Sequence, residues 1–134
     1  EKRGIPYHRF HLTHDNLGVP GVIKRGRCYY THGYSTAKHA AYQHLVKSGA
    51  PIVYGHTHRA DCSYTRTIAN GLIASWCPGT LSQVQPMWRH NSPTGWSQGY
   101  ILQWIEEDGD FITVQVPIDE GRSFLGTVLK NLRG

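Results

Sequence analysis

Nine histidines in 134 residues is a high count. Imidazole can ligate a metal near neutral pH. The sharpest arrangement is Gly55-His56-Thr57-His58, directly after the apolar run Ala50-Pro51-Ile52-Val53-Tyr54. Gly55 allows a tight turn, and Thr57 separates two rings that point apart, so the pair can serve two adjacent metal ions instead of pinching one. A His-x-His pair alone is a weak signal. Here a second histidine, His32-Gly33, closes another run rich in β-formers, Arg27-Cys28-Tyr29-Tyr30-Thr31, and the combination is much more specific. His8, His11 and His14 recur at intervals of three, but Asp15 is the only carboxylate near them, so a surface or packing role outweighs ligation. His39 and His44 fall on a presumed helix, where packing or solvent exposure is again the stronger reading.

Positioning these loops requires particular elements. Between the two strands, Ser35 to Ser48 reads as a helix: Ser35 can cap it, Ala37, Ala41 and Leu45 share a face, and Gly49 can end it. The order is strand, histidine loop, helix, strand, histidine loop. In α/β sheets ligands bind beyond the carboxyl ends of the strands, so two such loops can converge although they are far apart in the chain. After Arg59 the pattern becomes β, with strands expected at Ser63 to Ala69, Leu72 to Cys77, Leu81 to Pro86, Gly99 to Glu106 and Phe111 to Pro117. Glu107-Asp108-Gly109-Asp110 joins the last two as a hairpin. Met87 to Gln98 reads as a long irregular loop. A second sheet facing the first accommodates these strands economically. Residues 1–26 form an irregular lead-in punctuated by Gly4, Gly18, Gly21, Gly26, Pro6 and Pro20, 27–58 the strand-helix-strand unit, 59–117 the mostly β part, and 118–134 a tail.

Length and composition bound the rest. At 15.1 kDa, with 39% hydrophobic and 17% charged residues, the chain suits one domain or part of one, and two independent enzyme domains are excluded. No apolar run approaches a membrane span and the start lacks the apolar core of a signal peptide, so no membrane partner is expected. Cys28, Cys62 and Cys77 include no Cys-x-x-Cys pair, which fits idle thiols in a reducing, cytoplasmic setting. The net charge of +5 permits an anionic partner such as a phosphoester or nucleic acid without requiring one.

The blocks Tyr29-Tyr30-Thr31-His32-Gly33 and Val53-Tyr54-Gly55-His56-Thr57-His58 together resemble the calcineurin-like metallophosphoesterase superfamily, which has a hydrophobic strand then His-Gly, and a closing Gly-His-x-His. Trp76-Cys77-Pro78-Gly79-Thr80-Leu81 looks like that family's Asn-Pro-Gly-Ser segment with Cys77 in place of Asn, and Trp96-Ser97-Gln98-Gly99-Tyr100-Ile101 looks like the strand after it. The resemblance covers roughly residues 25 to 117. It implies an α/β chain, the carboxyl-terminal half of a two-layer β-sandwich flanked by helices (the α/β/β/α metallophosphoesterase fold). It also implies two divalent metal ions drawn from Mn, Zn, Fe, Ni or Mg. His32 and His56 would hold the second metal, and His58 the first, beside the nucleophilic water that attacks phosphorus. Arg59 and His90 are candidate substrate contacts, with solvent-exposed or structural roles equally open to them. Trp88 and Trp96 could line the pocket or form a base platform, or simply pack between sheet and loop.

The family's first half carries Asp-x-His, Gly-Asp-x-x-Asp and Gly-Asn-His-Asp or Glu, and none of these is present; His14-Asp15-Asn16 only scrambles similar letters. Histidines alone cannot complete a dinuclear centre. The resemblance therefore implies a missing amino-terminal half, a second subunit or a domain-swapped homo-oligomer as partner, and an isolated chain with little or no activity. Two other readings stay open: a non-catalytic binding or assembly module on the same scaffold, and a module that holds one zinc through His32, His56 and His58.

Overall fold

The computed structural model describes residues 21–89, 92–123 and 125. His8, His11, His14 and His90, and most of the expected lead-in and tail, lie outside these residues. The regular structure described includes eight strands, one α-helix and the short 3-10 turn Met87–Arg89: β1 Val22–Arg25, β2 Cys28–Thr31, α1 Ala40–Ser48, β3 Ile52–Tyr54, β4 Ala60–Thr67, β5 Gly71–Pro78, β6 Gln98–Ile105, β7 Phe111–Asp119 and β8 Arg122–Ser123. The first sheet has the order β1-β2-β3-β5-β4, and the second β6-β7-β8. Strands β2, β3 and β5 run parallel, while β1 and β4 are antiparallel edges. The chain is a mixed α/β structure built mostly from strands.

Three layers follow from side-chain alternation. The β5 residues Ile73, Ala74, Ser75, Trp76 and Cys77 are all buried, as expected for a strand covered on both faces. Cys77 packs with Tyr54, Ala40 and Ala41 under the helix, and the Ser75 hydroxyl donates to the Ala41 carbonyl at 2.5 Å. On the opposite face, Cys28, Ala74 and Trp76 meet Tyr30, Val53, Ile101 and Phe111. The rings of Trp76 and Phe111 meet edge to face at 6.0 Å across the two sheets. Leu45, fully buried beneath the helix, contributes about 1.5–3 kcal/mol of apolar burial.

Several expectations need correction. The helix starts at Ala40 rather than Ser35, and its N-cap position is His39, whose side chain makes no capping bond. The Ser35 hydroxyl instead accepts from Ala37 N–H at 3.3 Å in a local turn, a bond that competes with helix at serine. The buried face is therefore Ala40, Ala41, His44 and Leu45, with Ala37 exposed ahead of it. Gly49 ends the helix in the left-handed conformation, its N–H donating to Leu45 O, as expected. Leu81 to Pro86 is not a strand but a bending segment: Leu81 and Val84 are exposed, and among the described residues no strand pairs along it. The lead-in contains β1, hairpinned onto β2, and the tail begins with the end of β7 and with β8. No helix among the described residues is long and apolar enough to cross a membrane.

Candidate metal centre

The carboxyl ends of β2, β3 and β5 share one edge of the sheet, since Thr31 pairs with Tyr54 and Val53 with Trp76 in parallel register. His32 is the first residue beyond β2, and Gly55 the first beyond β3. Their backbones are joined where the strands end, Gly55 N–H donating to His32 O at 3.0 Å. The two loops thus leave the sheet already in contact.

His32 Nε2 and His56 Nδ1 come to 2.9 Å, with ring centroids 4.9 Å apart and planes inclined at 67°. Both side chains are exposed. Two imidazole nitrogens bound to one tetrahedral zinc lie about 3.3 Å apart, given bonds of about 2.0–2.1 Å, so a slight opening of this pair would admit a shared cation. His56 and His58 have φ of 72° and 55°, a left-handed backbone uncommon outside glycine and costing about 1 kcal/mol or more each, of the kind that collects at functional sites. Thr57 between them is buried, its hydroxyl 3.3 Å from Cys77 Sγ, which ties the loop to β5.

His58 is directed elsewhere. Its ring meets Trp96 edge-on at 4.4 Å, and its Nδ1 is buried with no hydrogen-bond partner among the described residues. An orphaned polar atom of this kind costs about 1–3 kcal/mol. Ser97 N–H donates to His58 O at 2.9 Å and Ala60 N–H to Ser97 Oγ at 2.6 Å, fixing the Trp96 loop over His58. The structure thus brings His32 and His56 together and sets His58 apart from them. Among the described residues no group of three His, Cys, Asp or Glu side chains is arranged to hold a metal ion.

Arg59 is anchored, its guanidinium donating to Ala37 O at 2.9 Å and Thr36 O at 3.4 Å. It holds the loop ahead of α1 against the Gly55–His58 turn. Asp61, the carboxylate next in sequence, is also occupied: its Oδ2 accepts from Ala41 N–H and from the Tyr54 hydroxyl, both at 3.4 Å, serving the open first turn of the helix.

The supporting residue that spacing alone did not reveal is His44. Its fully buried ring stacks on Tyr54 at 3.8 Å and 11°. Nδ1 lies 2.7 Å from Ala40 O and Nε2 accepts from Tyr34 N–H at 3.0 Å. Only the Nδ1–H neutral tautomer satisfies both bonds, and Tyr34 belongs to the turn that carries His32. Its position four residues after Ala40, where a side chain can reach back to the i−4 carbonyl, was the available signal.

Burial holds the His44 pKa below its ordinary value of 6.5, and His56 and Lys47 push the same way against the opposing bond to Ala40. The unfolded chain therefore binds a proton first. This contribution to stability is complete above about pH 6.5 and is lost as pH falls through the lower folded value, at no more than about 1.4 kcal/mol per pH unit. Urea midpoints measured across this range should fall more steeply for the native chain than for His44→Phe; parallel slopes would refute the assignment.

No family model, curated protein or solved structure matches the chain.

Proposed function

We propose that this chain supplies the histidine part of a two-metal phosphoester hydrolase. His32 and His56 would hold one ion and His58 the other, with the carboxylate ligands contributed by a further polypeptide segment against the same sheet edge. The observation that carries the reading is the 2.9 Å approach of His32 Nε2 to His56 Nδ1 at the ends of two parallel strands. The unpartnered Nδ1 of His58 supports it from a second side. Incomplete cover of the fold fits as well. The outer face of the second sheet leaves Leu102, Trp104, Ile112 and Val114 exposed, Trp104 to 72%, as a sandwich awaiting its flanking layer would.

When bound, such a metal pair lowers the pKa of a water, aligns it on phosphorus and neutralises charge on the oxygens. The chain's own part is to present neutral imidazoles, which hold cations without cancelling their charge, and to fix them through the Gly55–His32 backbone bond and the His44–Tyr34 anchor. Manganese is the natural first probe. Mn²⁺ at about 100 times its dissociation constant should stabilise the chain by about 2.7 kcal/mol, and the gain should vanish in both His32→Ala and His56→Ala. Hydrolysis of bis(p-nitrophenyl) phosphate should stay near background until the missing segment is added, then become Mn²⁺-dependent and sensitive to His56→Ala. A chain that no divalent metal stabilises would sink the reading. The absence of a three-donor group among the described residues favours a non-catalytic binding or assembly module as second reading; it predicts no hydrolysis under any complementation.

A further inference from the structure

Beyond the histidines, the sheet edge carries an aromatic and cationic ledge. Trp96, whose ring meets His58, is in turn met by Trp88 with centroids 6.0 Å apart and planes at 63°. Trp88 is 71% exposed, yet it does not sit on a loose loop. Met87–Arg89 forms a single 3-10 turn, closed by Arg89 N–H to Pro86 O at 2.9 Å and strapped by Gln85 Nε2 to Arg89 O at 2.8 Å. Ser92 N–H donates to Arg89 O at 3.1 Å from the far side. The Arg89 guanidinium lies over both indoles, 5.6 Å from Trp88 and 5.8 Å from Trp96.

Trp88 meets Trp96 and Arg89 and leaves most of its ring in water. A flat π-system with a cation beside it is what a nucleobase followed by a phosphate requires: indole stacks on any base, and guanidinium adds cation–π attraction and pairs with phosphate oxygens. The continuous chain Trp88, Trp96, His58 leads from this ledge to the unpartnered His58 nitrogen. A nucleotide whose base stacks on Trp88 would thus extend its phosphate towards the histidines. A positively charged chain, +5 in net charge, suits such a ligand.

We infer that the ledge of Trp88, Arg89 and Trp96 is a nucleobase-binding subsite, which makes the phosphoester handled at the neighbouring histidines that of a nucleotide. The base contact stands on its own geometry; only the identity of the reacting bond rests on the hydrolase reading. The test is a fluorescence titration of the full chain with a short single-stranded oligothymidylate, performed in EDTA. Under those conditions a chain that binds no metal is still judged on stacking, while the Mn²⁺ titration judges the hydrolase reading separately. Trp88→Ala should weaken binding roughly 5- to 150-fold, the range of one lost base–aromatic stack, whereas Trp88→Phe should restore most of it and Trp104→Ala, on the second sheet, should change nothing. An abasic oligomer of equal length should bind as weakly as the alanine variant does to the normal one. Strong competition by thymidine 5′-phosphate would identify small nucleotides as the ligand and weak competition nucleic acid, and either supports the base contact. Equal affinity for abasic and normal oligomers, unchanged affinity in Trp88→Ala, or no binding of any probe would overturn it.

Discussion

Gly79→Ala should lower the unfolding midpoint by about 10 °C or more, corresponding to about 3 kcal/mol or more for a chain of this size. Gly79 has φ of +93°, a conformation that L side chains rarely adopt, which alone costs about 1–3 kcal/mol. The added methyl would also drive into the Ser97 carbonyl oxygen, with Ser97 C at 3.2 Å and Oγ at 3.3 Å. These atoms cannot give way easily. Thr80 N–H donates to Ser97 O, Ser97 N–H to His58 O, and Ser97 Oγ accepts from Ala60 N–H. Ser97 is thus a junction joining β4, the turn after β5 and the His58 loop, and Trp96 precedes it. The same variant should therefore disturb the contact between His58 and Trp96, visible as a change in near-ultraviolet circular dichroism even below the melting range. A near-native midpoint would show that the close approach of Gly79 to Ser97 is not a structural requirement.

His44→Ala should cost about 4 kcal/mol or more, measured as a shift in the urea midpoint at constant slope. Two losses combine. Removing a fully buried ring that lies on Tyr54 and faces Tyr34 at 4.1 Å leaves a cavity, and aromatic-to-alanine changes in cores cost about 3–5 kcal/mol. Tyr34 N–H also loses its acceptor, a penalty of about 1–3 kcal/mol where water cannot replace it. His44→Phe separates the two, because it keeps the stacked volume and loses only the polar bonds. It should recover about half of the deficit. Since Tyr34 lies two residues beyond His32, both variants should also weaken any metal bound by His32 and His56, a coupling that a purely structural core residue far from the loop would not produce. Equal costs for the two variants would mean that the polar bonds, and not the packing, dominate.

Much of the order along the chain was legible before any coordinates. Strand, histidine loop, helix, strand and histidine loop follow from β-formers that stop at His32-Gly33 and Gly55-His56, and from a glycine placed to end the helix. The Glu107–Asp110 hairpin and the long loop after Met87 were legible for the same reason. The departures from local expectation share a cause as well. Ser35 carries the signature of a helix cap, but its hydroxyl finds a closer use in a local turn, so the helix waits for Ala40 and borrows Asp61 from β4 for its open N–H. Leu81 to Pro86 carries apolar residues as a strand would, yet Leu81 and Val84 turn to solvent and the segment bends away after the single bridge of Thr80 to Gln98.

For this protein, sequence alone determined which residues can do chemistry and the local elements that carry them, because a strand's period and a glycine's freedom are properties of a few consecutive residues. Only the tertiary structure decided that His32 and His56 meet while His58 turns to Trp96, that His44 anchors Tyr34, and that Trp88 stands in solvent beside Arg89. Those outcomes depend on the parallel register of β2, β3 and β5 and on backbone contacts such as Gly79 against Ser97. They join residues far apart in the chain, and such pairings leave no periodic trace in the amino-acid order.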